Sequence, residues 1–98
     1  MKETDIQAAI CDYLAMRRVF HWRNNTGAMR APSGGFYRFG TPGSPDIIAV
    51  RDGRAICLEV KTGTGKLSED QEEFRSRALK AGAQHEVVRS GLLTTYKR

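Results

Sequence analysis

The sequence predicts an α/β domain, a mixed central sheet flanked by helices, with elements in the order αβββαβα. Three observations predict it. Apolar residues recur at helical spacing near the start of the chain, an Asp-Gly pair separates two β-rich runs in the middle, and a Ser-x-x-Gln box opens a second helical stretch that leads into another β-rich run.

The opening helix rests on Ile6, Ala9, Ile10, Tyr13 and Leu14, which step by three and four residues, with Thr4-x-x-Gln7 in the form of a capping box and Glu3 at its mouth. Val19 to Arg23 is β-branched and aromatic and ends at Asn24-Asn25, so it reads as a strand entering a turn. From Thr26 to Pro45 glycine and proline crowd the chain, interleaved with Arg30, Phe36, Tyr37, Arg38 and Phe39, and the expectation is one long loop, of the kind that is functional or disordered. Ile47 to Arg51 and Arg54 to Lys61 form a hairpin about Asp52-Gly53, the second strand turning Ile56, Leu58 and Val60 to one side and Cys57, Glu59 and Lys61 to the other. Ser68 to Gln71 caps a helix running to about Ala81 and stopping at Gly82, with Phe74, Ala78, Ala81 and Leu79 as its apolar face. Gln84 to Arg89 is a last strand, and Ser90 would cap a short terminal helix through Leu92, Leu93 and Tyr96.

Composition bounds the function. The chain of 98 residues, 40% hydrophobic and 28% charged, has the balance of one globular domain spanning 1–98. Its apolar runs, such as Ile47 to Val50, fall far short of the roughly 20 residues a bilayer requires, and no leader pattern opens it, so an intracellular protein without membrane association is expected. A net charge of +5 favours a polyanionic partner, nucleic acid first. Cys11 and Cys57 lack the neighbours of a zinc site or a disulfide framework and read as small core residues. A domain this size leaves much surface exposed, which favours oligomerisation.

The sharpest constellation is Pro45-Asp46 followed by Glu59-Val60-Lys61. An acid at the start of one hairpin strand, with an acid and a lysine on one side of its partner, suits metal-assisted hydrolysis of a phosphodiester. Hard oxygen ligands hold Mg²⁺ or Mn²⁺, and the ammonium steadies the developing charge. The competing reading is a solvated salt bridge on an exposed sheet face, with Asp46 a mere turn residue. Thr62 to Lys66 resembles a phosphate loop, but Val60 replaces the first glycine and Leu67 the magnesium-binding hydroxyl, so no nucleotide cofactor is expected. His85-Glu86 lacks the second histidine of a zinc protease helix, and His21 reads as a strand residue. For DNA contacts the candidates are Arg30, Tyr37, Arg38 and Lys66, cations and a ring in or beside glycine-rich segments.

The chain resembles a PD-(D/E)xK nuclease, and within that group the virus-type replication-repair nuclease (VRR-NUC) domain. The resemblance is carried by Glu3-x-x-Ile6-Gln7, Arg23-Asn24-x-x-Gly27, Gly40-x-Pro42-Gly43-x-Pro45-Asp46-Ile47-Ile48, Leu58-Glu59-Val60-Lys61 and Gly65-Lys66-Leu67-Ser68-x-x-Gln71. It implies the restriction-endonuclease-like fold, with Asp46 and Glu59 as metal-ligating carboxylates, the Val60 carbonyl as a further ligand and Lys61 as the catalytic lysine. Glu3 would complete the site through water, and Gln71 would face it from the second helix; on residue pattern alone, Glu3 is equally a helix-start acid and Gln71 the capping partner of Ser68. Ser44 departs from the resemblance, standing where an apolar residue is common.

The resulting expectation is a Mg²⁺- or Mn²⁺-dependent deoxyribonuclease directed to branched DNA such as a Holliday junction, working as a homodimer. The expected pairing surface is the 26–45 loop and the first helix, and the expected compartment is the host cytoplasm of a phage-encoded protein. A catalytically silent nucleic-acid-binding module of the same fold is the alternative.

Overall fold

A computed structural model describes residues 2–25 and 27–89 of the chain. Its elements are α1 (Glu3–Met16), β1 (Phe20–Arg23), β2 (Gly27–Arg30), β3 (Phe36–Phe39), β4 (Ile47–Arg51), β5 (Arg54–Lys61), α2 (Glu69–Lys80) and β6 (Gln84–Arg89). A four-stranded sheet runs β1-β4-β5-β6, antiparallel except for the parallel β5–β6 pair that α2 connects, and β2–β3 is a separate antiparallel pair. The mixed sheet and its helices are those expected. The order is not, because the segment read as a loop holds two strands, giving αβββββαβ among the described residues. Each is four residues long, too short to show a period, and Gly34 at φ 100° lets the chain reverse between them, with Ala31 N–H donating to the Gly35 carbonyl. The terminal helix expected after Ser90 lies outside the described residues.

α1 buries Ile6, Ile10 and Leu14 against Ile47, Ala49, Leu58, Val60 and Val88, so the even positions of β5 face this helix. It begins earlier than the Thr4 box suggests. Lys2 is the N-cap, and its backbone N–H donates to Asp5 at 3.3 Å, leaving Thr4 inside the first turn. After the C-cap at Arg17 the backbone crosses the left-handed region at Arg18, φ 58°, and Val19 N–H closes on the Leu14 carbonyl at 2.9 Å.

Asp52 and Gly53 at φ 53° and 76° form the doubly left-handed hairpin turn that matches the twist of β4 and β5. α2 lies on the opposite side of the sheet from α1, capped as expected by Ser68, whose hydroxyl accepts from Gln71 N–H. Phe74 and Ala78 are half-buried on its inner side; Leu79 and Ala81 are exposed, a correction to the apolar face expected for it, since Ala81 is the C-cap. With α1 on one side and α2 on the other, both faces of β5 are covered, and Cys57, Leu58, Glu59 and Val60 are all buried. Cys11 is half-buried and unpaired, like the buried Cys57.

Candidate active site

Strand register brings the two acids together. Ile47 pairs with Leu58, so Asp46, one residue earlier, stands across from Glu59 and points to the same side of the sheet. The segment bearing Asp46 is held from three directions. Asn24 N–H donates to the Asp46 carbonyl at 2.8 Å, and Asn24 Nδ2 donates to Ser44 Oγ at 2.8 Å and to the Pro45 carbonyl at 3.0 Å. Pro45 is fully buried. Gly43, at φ 74°, packs so closely on the first turn of α2 that a Cβ there would collide with the Asp70 carbonyl and lie 2.7 Å from Gln71 N.

The acid side chains are fixed in turn. Val60 N–H donates to Asp46 Oδ2 at 2.7 Å, and Gln71 Nε2 donates to Glu59 Oε1 at 3.1 Å. Gln71 Oε1 meanwhile accepts from Ser68 N–H at 2.9 Å, so the residue caps the helix and faces the site at once. Glu59 is 2% exposed, and its Oε2 meets no donor. Burial, then the hydrogen bond and charge of Asp46, push the Glu59 carboxyl up to about 8; the nearby Lys61 ammonium opposes this and the Glu3 carboxylate adds to it. A bond between two carboxyls requires a proton in it, so the orphaned oxygen calls for either that proton or a cation.

Glu3, exposed at the first position of α1, therefore approaches the site through its charge, and Lys61 is half-buried beside it. The turn after β5 folds back at Gly65, a Cβ there lying 3.9 Å from the Lys61 side chain, and exposed Lys66 follows. The solvated salt-bridge reading is contradicted by the burial of Glu59. Arg30 belongs to the separate β2–β3 pair, its guanidinium 5.4 Å from the centre of the Phe36 ring. The Tyr37 and Arg38 side chains lie outside what is described. His21 Nδ1 bonds the Val19 carbonyl at 2.7 Å, as a strand residue would.

Among the described residues no group of three or more His, Cys, Asp or Glu side chains gathers as a metal cage. The donor set is two carboxylates with the Val60 main chain between them. That set fits Mg²⁺ or Mn²⁺, which take one or two carboxylates and keep several waters, and the orphaned Glu59 oxygen supplies the observation that favours a cation there. Sequence reading did not single out Asn24 and Gly43 as positioning residues. The Asn24-Asn25 turn and the Pro42-Gly43-Ser44-Pro45 stretch were visible, but the partners of Asn24 and Gly43, Ser44 and α2, are distant in sequence. It likewise gave no role to His85, which is 7% exposed with neither ring nitrogen partnered and has its pKa lowered, by burial first and then by Arg75.

No protein-family model matches the chain, and no curated protein matches it. No helix among the described residues is long and apolar enough to cross a membrane.

Proposed function

We propose that the chain is a metal-dependent deoxyribonuclease of the PD-(D/E)xK kind, akin to VRR-NUC domains, hydrolysing phosphodiesters in branched DNA within a phage-infected cytoplasm. The observation that carries the reading is the buried Glu59 carboxyl, held by Gln71, opposed to Asp46, with one oxygen lacking a donor and Lys61 alongside. A structural role alone gives no reason to bury a carboxylate in this condition, since a Gln would satisfy the same space without the desolvation cost.

A divalent cation between Asp46 and Glu59 would polarise the phosphodiester and lower the pKa of an attacking water. The chain's own residues do the rest. Val60 N–H keeps Asp46 aimed at the shared point, Gln71 fixes the Glu59 rotamer, and Lys61 offsets the negative charge that builds on the phosphorane. Exposed Met29 and Phe36 on the β2–β3 pair support pairing of two copies through the 26–45 segment. Labelled junction, flap and linear duplex DNAs incubated with Mg²⁺, Mn²⁺ or EDTA test the activity, and sedimentation tests the dimer. Metal-dependent cleavage lost in Glu59→Gln is expected; no cleavage of any DNA with either metal refutes the reading.

A further inference from the structure

The carboxylate side of the four-stranded sheet is only half covered. α2 packs over β6 and reaches Glu59 through Gln71, but on β4 the residues of this side, Ile48 and Val50, are only half-buried. On β1, Phe20 is 69% and Trp22 42% exposed. Phe20 pairs with Val50 and Trp22 with Ile48, while Asn24 bonds Asp46, so both rings project from the same side of the sheet as the acids. Trp22 stands one same-side step along β1 from Asn24, roughly 7 Å, and one strand spacing, about 5 Å, across from β4. The two rings lie 5.5 Å apart at 52°, open to solvent.

We propose that Phe20 and Trp22 are a stacking platform for unpaired bases of single-stranded DNA, seating the adjoining phosphodiester at Asp46 and Glu59. The inference rests on the nuclease reading and names its substrate as a single-stranded segment, as at a flap, an end or an opened junction. Stacking on aromatic side chains requires bases whose faces are free. In a duplex those faces are buried against neighbouring pairs and extruding a base costs several kcal/mol, so the platform favours strands already unpaired. The occupant is a nucleic acid and not a second copy for two reasons. A copy seated across β1 and β4 would cover the approach to the carboxylates, and a chain of net charge +5 attracts a polyanion.

Trp22 is the only tryptophan, so its fluorescence reports the platform directly. In EDTA, where metal-dependent cleavage would be blocked, a short oligothymidylate should quench it saturably, while a blunt duplex and heparin at equal anionic-charge concentration quench it weakly. Phe20→Ala should weaken oligothymidylate binding by roughly tenfold to a hundredfold, the range of one lost base–ring stack. Phe20→Leu, which keeps apolar area without a ring, should bind as weakly. Absence of quenching by the single strand, equal quenching by the duplex, or full affinity in Phe20→Leu overturns the platform. So does a Trp22 emission shift on raising protein concentration alone, with a dimer in sedimentation. Metal-dependent cleavage without quenching overturns the platform and leaves the nuclease reading; quenching without cleavage of any DNA supports the platform and removes the nuclease reading.

Discussion

Replacing Glu59 by Gln should stabilise the metal-free protein at neutral pH while removing its activity. The Glu59 carboxyl rises from 4.5 to about 8 on folding, chiefly through burial and then through Asp46. Between those values the folded chain holds a proton that the unfolded chain has released, so the contribution of Glu59 to stability is fullest below 4.5 and falls as pH rises through about 8. At about 1.4 kcal/mol per pH unit, the stretch from 4.5 to neutral pH amounts to about 3 kcal/mol lost from the wild type. Gln carries no such linkage. Its Oε1 can accept from Gln71 Nε2 as Glu59 does, and its amide can donate to Asp46 where the acid needed a proton. Urea unfolding in EDTA, from about pH 5 to about pH 8, gives the difference in stability between the two proteins. That difference should grow with pH in favour of Glu59→Gln, reaching about 3 kcal/mol near neutrality, and added Mg²⁺ should rescue only the wild type. A difference that stays constant across the range, or a variant less stable at neutral pH, refutes the assignment of a buried, protonated Glu59.

Asp46→Asn should abolish cleavage while DNA binding persists or strengthens, because it removes a metal ligand and a negative charge facing the phosphate; undiminished metal-dependent cleavage would falsify the site. Lys61→Ala should slow single-turnover cleavage by on the order of a hundredfold or more with Mg²⁺ affinity kept, the signature of a group acting on the phosphate or the water; parallel loss of metal affinity contradicts that role. Gly43→Ala should destabilise the fold by about 2 kcal/mol or more in denaturant titration, since it adds a left-handed alanine to a collision with the α2 backbone. Mg²⁺ binding measured calorimetrically in buffers of differing ionisation heat should release close to one proton below about pH 8 and fewer above it, because the cation takes the place of the Glu59 proton; no pH dependence of that count contradicts the shared site.

What could be read from the sequence follows the range over which each signal acts. The Asp52-Gly53 turn, the Ser68 cap and the alternation along β5 are set within a few residues, and each appears in the fold as expected. The β2–β3 pair was hidden because its strands are four residues long and lie among glycines, where no period can register. The Thr4 box failed for a different reason. Lys2 and Asp5 offer an equally spaced alternative, and Ile6, Ile10 and Leu14 are seated on the sheet whichever residue caps the helix. The near-complete burial of Glu59 was also out of reach, since α2, which covers it, presents no fully buried residue of its own and its amphipathic pattern is weak.

The site was legible as residue types and only in part as geometry, and Gln71 shows why. Its two sequence readings, capping partner of Ser68 or group facing Glu59, looked exclusive because each was assigned to a whole residue. An amide has two ends. Oε1 satisfies the Ser68 N–H at the helix start, which locks the side chain and leaves Nε2 nowhere to turn but toward Glu59. The cap therefore serves as the positioning device: the same hydrogen bonds that begin α2 fix the Glu59 rotamer, and the contact of Gly43 with the Asp70 and Gln71 backbone carries that alignment to the segment of Asp46. A carboxylate buried at such cost requires its neighbours to be rigid, because a loose Gln71 would let Glu59 swing toward water and recover its hydration. Local helix chemistry and long-range site geometry are here one set of bonds, which is why the first could be read from spacing and the second could not.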